Sequence, residues 1–486
     1  MMAYRNRGRA MGRLLYACTM LLVVSSQSGK VPITTGSPEA RALYLQGRAL
    51  NEQLRAHDAN AMFERAAAKD PTFAMAEYSL ALTALTAKAR QDHLDKAARL
   101  AEKASEGERL LIRAQQARAN ADPAGTMAHV LALVARYPQD ERAHWALGNS
   151  YLGRQHYDQA IAEYQKAIAI NPGYSAAYNS VGYAYRPTGN LAAAEKAFQK
   201  YIALVPNDPN PYDSYAELLM KMGRWEASIA EYRKALAIDP HFGASHVGIA
   251  ADQMFAGRHA EAIAEAQIYY DAARDDGERR IARFSQTATY LDEGSTDKAL
   301  QLTELQYAAS RTIADTANMG ADAVATADIL LDLGRVDAAR DRYQQAHDLV
   351  AMSGLSADTR QNNDLAWHAN MARVALAEHR VAMARTEVAA FLRGAETRHN
   401  DARMRQAHGL NGLVALEEKQ FDRSLAELAQ ADQQDPTVRY AMAAAWRGKG
   451  DPAKADELAA QAVTMYILPT LPYVLIRAKA RPLASR

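Results

Sequence analysis

Cysteine is almost missing from this sequence: a single residue, Cys18, in 486. One thiol cannot close an internal disulfide or complete a zinc cage, so a disulfide framework and a cysteine metal site are both excluded. Glycine and proline are sparse, 26 and 16 residues, which excludes collagen-like and low-complexity chains. Neither sign of charge dominates, since 57 Lys and Arg stand against 56 Asp and Glu, a formal +1. Without a basic excess no global field draws in nucleic acid, and no acidic block forms a solvating tail. The apolar run Leu14–Val24 falls well short of the ~20 residues that span a bilayer. What is present is a chain 49% hydrophobic and 23% charged, with 24 Tyr against 8 Phe.

Arg5, Arg7, Arg9 and Arg13, with no acid among them, precede the Leu14–Val24 run, and Ser25-Ser26-Gln27-Ser28-Gly29 follows it. Basic, then apolar, then small is the order of a secretory signal peptide, here 1–28, with cleavage near Ser26 to Gly29. The absence of a twin-arginine pair points to the general export route. Two other readings stay open, an uncleaved signal anchor and lipid attachment at Cys18. On the signal-peptide reading the mature chain has no cysteine, and its formal charge becomes about −3. Residues 29–39 read as a short linker.

Length alone argues for about three globular domains. A period argues otherwise. Pro138, Pro172, Pro206 and Pro240 are 34 residues apart, as are Gly189, Gly223 and Gly257, and Ala160, Ala194, Ser228 and Ala262. In this register 141–174, 175–208 and 209–242 align Leu147-Gly148, Val181-Gly182 and Tyr215-Ala216, and then Tyr164, Phe198 and Tyr232. Small residues at the first place let two helices cross closely, where an added methylene typically costs about 1–3 kcal/mol. The glycines at 189, 223 and 257 fit a helix end in the left-handed region, which carries no Cβ penalty for Gly. Asn171-Pro172, Val205-Pro206 and Asp239-Pro240 close the second helix, because the residue before proline is biased away from the α region. Asp208-Pro209 opens the next one as an N-cap with proline at the first helical position.

This pattern resembles the tetratricopeptide repeat superfamily. The resemblance implies an all-α fold, a right-handed α-solenoid of about twelve helix-turn-helix repeats. Degenerate repeats occupy 40–140, the best-conforming array 141–276 and divergent helix pairs 277–468, before an apolar and basic tail at 469–486. Spacers at Asp271 to Arg280 and Ser353 to Asp364 are expected to change the curvature. The chain also resembles exported bacterial proteins with long arrays of this repeat, one group of which is similar around Ser105-Glu106-Gly107-Glu108-Arg109.

Motifs that carry chemistry are absent: there is no G-x-x-x-x-G-K, G-x-G-x-x-G, G-x-S-x-G or H-E-x-x-H. The thirteen His read as scattered, His241 and His246 being five apart and His156 and His259 falling in turns, so no metal and no cofactor is expected. The carboxylates read as solvated helix faces. The tyrosines follow the packing period, which favours a core role over a stacking stripe for single-stranded nucleic acid.

The resemblance places a ligand on the inner faces of the first helices. In the three best blocks these positions hold Arg142, Trp145 and Asn149; Asn179 and Tyr183, with Arg186 beside them; and Asn210, Asp213, Glu217 and Lys221. Aromatics, amides and both signs of charge suit an extended peptide. The family's basic clamp for C-terminal carboxylates is not matched, since Trp145, Asn149, Asn179, Asn210 and Ser214 stand in its places. At the end of the chain, Met465 to Ile476 is apolar and precedes Arg477, Lys479, Arg481 and Arg486. An apolar solenoid end either packs back onto the last repeat or pairs with a second copy as a homodimer.

The resulting expectation is a non-enzymatic scaffold exported to the periplasm or cell envelope of a bacterium. Its partner would be a protein or peptide, with no nucleic acid and no integral membrane span after signal cleavage. An accessory or regulatory subunit of an envelope polysaccharide- or lipid-modifying enzyme complex is the competing reading.

Overall fold

The computed structural model describes residues 29–484, apart from 53–54, 85, 121, 353, 355–356 and 398–399. The segment read as a signal peptide, 1–28, lies outside the described residues. Regular structure among the described residues is helical throughout. The first four pairs are α1 (Pro38–Glu52) with α2 (Ala56–Lys69), α3 (Ala74–Thr83) with α4 (Ala87–Leu100), α5 (Glu106–Ala119) with α6 (Pro123–Arg136), and α7 (Glu141–Gly153) with α8 (Tyr157–Ile170). The next four are α9 (Ser175–Tyr185) with α10 (Leu191–Leu204), α11 (Pro209–Lys221) with α12 (Trp225–Ile238), α13 (Gly243–Phe255) with α14 (His259–Ala272), and α15 (Asp276–Glu293) with α16 (Thr296–Thr312). The last four are α17 (Thr316–Asp332) with α18 (Val336–Ala351), α19 (Ala357–Ala377) with α20 (Val381–Thr397), α21 (Asp401–Glu417) with α22 (Phe421–Leu428), and α23 (Pro436–Gly448) with α24 (Pro452–Val463). A single helix, α25 (Leu471–Ala484), ends the chain.

Twelve pairs stack as an α-solenoid, each helix packing on its neighbours in sequence. The crossing within a pair follows a spacing of 16 residues. A Cβ on Gly47 would lie 2.7 Å from the Phe63 ring, on Gly148 2.5 Å from Tyr164, on Gly182 2.7 Å from Phe198 and on Gly412 2.6 Å from Leu428. Phe63, Tyr164, Phe198, Tyr232, Tyr343 and Phe391 are accordingly fully buried, one to a pair. From the fourth pair onward the turn inside each pair holds a left-handed residue: Gln155, Gly189, Gly223, Gly257, Gly294, Gly334, His379, Lys419 and Gly450. Several helix starts are capped by side chains, among them Asp122, Asp208, Asp435 and Asp451, each followed by proline at the first helical position. Ser105 and Glu108 form a reciprocal capping box on α5.

In the later repeats the spacers are taken up by longer helices. α15 has 18 residues and α19 has 21, against 13 in α11, so Asp276 to Arg280 and Ala357 to Asp364 are helical rather than loop.

The two ends depart from expectation. Residues 29–39 are not a free linker: the Val31 amide donates to Asp140 at 2.7 Å and the Thr34 amide to Glu108 at 2.8 Å. Three extended residues rise about 10 Å, close to the spacing of packed helices, so this segment takes one step per repeat along the starts of α7 and α5. The C-terminal apolar segment packs back, but far beyond the last repeat. Met465 and Tyr473 join the core of α11 to α13, and Leu471, Val474 and Leu475 that of α15 and α17. The apolar face that a homodimer would have used is therefore buried within the chain.

Successive turns of the superhelix touch. Arg154 pairs with Asp401 at 2.6 Å, Gln155 donates to Asp432 at 2.9 Å, and Arg55 lies 4.0 Å from Asp239. Among the described residues, no helix is long and apolar enough to cross a membrane.

Candidate peptide-binding cavity

The inner helices of the first four repeats surround a cavity of about 240 Å³. Each presents one face to it at a spacing of i, i+3, i+4 and i+7, which lines one side of a helix. α1 contributes Tyr44, Arg48 and Asn51; α3 Met75, Tyr78, Ser79 and Leu82; α5 Leu111, Ala114, Gln115 and Arg118; α7 Arg142, Trp145, Ala146 and Asn149. Val31, Pro32 and Ile33 of the extended N-terminal segment form a wall, and Tyr174 closes the far end.

The lining is aromatic and apolar with a few polar groups held in place. Trp145 donates its indole N–H to Ser180 at 2.8 Å and meets Tyr174 edge-on at 6.4 Å. Asn149 accepts a hydrogen bond from the Tyr164 hydroxyl at 2.7 Å, which leaves its amide N–H groups for a ligand. Arg142 pairs with Asp140 at 3.1 Å. Burial acts against the charge on Asp140, but Arg142 and the amides of Val31 and Arg142 outweigh it and hold the carboxyl below its usual range. Burial pushes the Tyr78 hydroxyl up to about 12 and raises the Glu52 carboxyl in spite of Arg48. Arg118, exposed at the last turn of α5, has no ion-pair partner among the described residues.

Arg142, Trp145 and Asn149, of the ten residues singled out by sequence, line this cavity; the others do not. Tyr183 donates to Glu217 at 3.0 Å, Arg186 pairs with Glu217 at 2.9 Å, and the guanidinium lies 5.0 Å from the Tyr183 ring centroid. Asn210 donates to the Tyr201 hydroxyl at 2.9 Å, and Asp213 accepts from Ser245 at 2.8 Å. The Asn179 carbonyl oxygen is buried without a hydrogen-bond partner among the described residues. Lys221 is half-buried, its pKa lowered by burial, then by Arg186 and by Arg439 of α23 across the groove. Neighbouring inner helices are close enough here for polar side chains to bond from one repeat to the next. The expected groove of the central repeats is thus an internal polar network. Sequence reasoning missed Tyr44, Arg48, Tyr78, Gln115 and Arg118 because they lie in degenerate repeats, although the helical spacing marks them.

The histidines are not scattered in space. His144 with Glu163, His246 with Glu265, His368 with Glu387 and His408 with Glu427 form one repeated contact, Nδ1 to carboxylate at 2.5–2.8 Å, always 19 residues apart. Each joins the first helix of a pair to the second. Among the described residues no group of three His, Cys, Asp or Glu is placed to hold a metal ion.

Family models described as tetratricopeptide repeat match residues 113–175, 146–209 and 210–242. Residues 113–242 of this chain are tetratricopeptide repeats. Its matched repeats run from α5 to α12 and so include half of the cavity's inner helices. No curated protein matches the chain. Among solved structures it is similar to the MamA protein, with 21% identity over 34% of this chain and 89% of that one and a TM-score of 0.28. It is also similar to a thermophilic tetratricopeptide protein, TTC0263 of Thermus thermophilus, with 22% identity over 44% and 98% and a TM-score of 0.29. A tetratricopeptide repeat protein of Parabacteroides merdae is 14% identical over 53% and 97%, with a TM-score of 0.37. At these identities the likeness is one of fold.

Proposed function

We propose that this protein is a non-catalytic scaffold, exported to the cell envelope, that holds an extended peptide of a partner protein in the cavity of its first four repeats. The observation that carries the reading is the convergence of four inner helices, α1, α3, α5 and α7, on one cavity with the same helical face. Tyr78, Trp145 and Tyr174 supply rigid surface for apolar side chains. Asn149 and Gln115 offer amides to a peptide backbone, and Arg118 offers a charge with no ion-pair partner among the described residues. The central repeats make a poorer site, because Tyr183, Arg186, Asn210, Asp213 and Glu217 already have hydrogen-bond partners within the chain. Export rests on the basic, apolar and small segments of 1–28.

A peptide library displayed on phage and selected on the full chain tests the site. Selected peptides should bind Arg118→Glu and Asn149→Ala about tenfold more weakly, a change of ~1.4 kcal/mol, with unchanged far-ultraviolet circular dichroism. Peptides that bind both variants as tightly as the parent place the site elsewhere. For export, the intact mass of the secreted protein should show loss of the first 25 to 29 residues; retention of Met1 refutes cleavage.

A further inference from the structure

The last helix makes two sets of contacts. α25 packs on α23 and α24, as the end of a solenoid does, and also on α15 and α17, more than a hundred residues away in sequence. The second set is polar and concentrated. Arg477, 4% exposed, pairs with the fully buried Asp292 and donates to the Phe255 carbonyl at 3.3 Å. Its guanidinium lies 4.8 Å from the Phe255 ring centroid. Arg481 bonds the Asp292 carboxylate at 2.5 Å and the Asp292 carbonyl at 3.1 Å, and Lys479 pairs with Asp332 at 2.5 Å. His259 occupies the same Asp292 carboxylate at 2.9 Å.

The receiving groups share a position. Phe255 ends α13, Asp292 is the penultimate residue of α15, and Asp332 ends α17. The C-terminal ends of inner helices therefore stand in a row, with the Phe255 and Asp292 carbonyls and the negative ends of three helix dipoles on one edge. Such an edge selects cations, and α25 supplies them at 477, 479 and 481. Ahead of the helix, Tyr466 takes φ +40°, a conformation strained for a bulky residue. It is held by edge-on contact with Trp225 and tilted contact with Phe255, each at 5.5 Å, and by its amide donating to the Tyr473 hydroxyl at 2.9 Å. The connection to α25 is thus bent against its own preference and would relax on release.

We propose that this edge of the seventh to ninth repeats is a binding site for a basic amphipathic helix, filled by the chain's own α25 as a releasable occupant. The twelve pairs do not require α25 to complete any repeat, and it clasps the end of the superhelix to its middle. The site is distinct from the N-terminal cavity, and its test stands apart from that one.

The experiment uses the full chain and a fluorescently labelled synthetic peptide of residues Thr464 to Arg481. In the parent the tethered helix competes at an effective concentration in the mM range, so the peptide binds weakly. Arg477→Ala combined with Arg481→Ala weakens the tethered helix and leaves the receiving edge intact. That variant should bind the peptide about a hundredfold more tightly than the parent. Adding Asp292→Ala should abolish the gain. Hydrogen exchange on the parent should show α25 opening faster than α23 and α24. A folded double variant that ignores the peptide, a double variant that loses its helical signal as a whole, or exchange in α25 as slow as in α24 would each overturn the proposal. A double variant that forms a dimer instead of binding peptide would assign the site to a second copy and overturn the tethered assignment.

Discussion

Gln155 stands at φ +62° where the next three repeats have glycine, and its side-chain amide donates to Asp432 across 277 residues at 2.9 Å. A non-glycine residue in the left-handed region costs roughly 1–2 kcal/mol, and here the side chain bridges two turns of the superhelix. Gln155→Gly removes the bridge and the strain together, and should leave overall stability within about 0.5–1 kcal/mol of the parent. Asp432→Ala removes the bridge and keeps the strain, and should cost about 0.5–1.5 kcal/mol. Urea denaturation followed by circular dichroism separates the two; equal losses would show that the bridge does not offset the turn.

Glycines at crossings and at turns should fail for different reasons. Gly182→Leu drives side-chain atoms into the Phe198 ring, which already lies 2.7 Å from where a Cβ would sit. It should cost about 1–3 kcal/mol from overpacking. Gly189 has nothing within 4 Å of its Cβ position but φ +77°, so Gly189→Ala should cost about 1 kcal/mol through the backbone alone. Thermal melting of the two variants gives the order; a costlier Gly189→Ala would contradict it.

The repeated His and Glu contact supplies its own control. His144 and Glu163 have side chains 9% and 11% exposed, whereas His408 and Glu427 are 27% and 24% exposed. His144→Ala leaves a buried carboxylate with Lys166 as its remaining partner and should cost about 1–3 kcal/mol. His408→Ala should cost less than about 1 kcal/mol. Denaturation midpoints of both variants test the gradient, which equal effects would refute.

Two buried carboxyls set a pH dependence. Burial, with Glu217 one turn away, pushes Asp213 up to about 8 against the hydroxyl of Ser245. Burial likewise pushes Asp252 up to about 8, against the nearby hydroxyl of Ser228. From the ordinary 3.8 up to about 8 the folded chain keeps protons that the unfolded chain releases. Stability from these groups is complete below 3.8 and declines as the pH rises toward 8. Asp140 and Asp292, both held below the usual range, act in the opposite sense, and their contribution is lost as the pH falls below about 4. Urea titrations at about pH 5 and pH 8 should show the higher stability at pH 5. Asp252→Asn should reduce that difference and stabilise the chain at pH 8 by about 1–3 kcal/mol. A variant with the parent's full pH slope would exclude Asp252 as its source.

The repeats were readable because their signals are local. Pro172 and Pro206 end helices through the residue before them, Gly189 and Gly223 end them through φ, and Gly148 meets Tyr164 at a fixed separation in sequence. The His and Glu contacts were equally within reach, since His and Glu recur 19 residues apart from 144, 246, 368 and 408. Their spacing is not that of metal ligands on one helix but that of facing positions on the two helices of a repeat. The candidate site was readable only in part. Arg142, Trp145 and Asn149 share their helical face with residues of degenerate repeats, which the 34-residue register does not mark. Asn210, Asp213 and Glu217 hold the same nominal positions, yet they are bonded to Tyr201, Ser245 and Arg186.

The sequence by itself determined the unit: two helices, where each begins and ends, and which residues let them cross. Only the tertiary structure decided which inner face stays open. Each repeat adds a small rotation, and whether Arg154 reaches Asp401, or Arg477 reaches Asp292, depends on the sum of those rotations over many repeats. The near-balance of 57 basic and 56 acidic residues concealed that placement too, because Arg477, Lys479 and Arg481 are neutralised by carboxylates and helix ends that lie more than a hundred residues away in sequence.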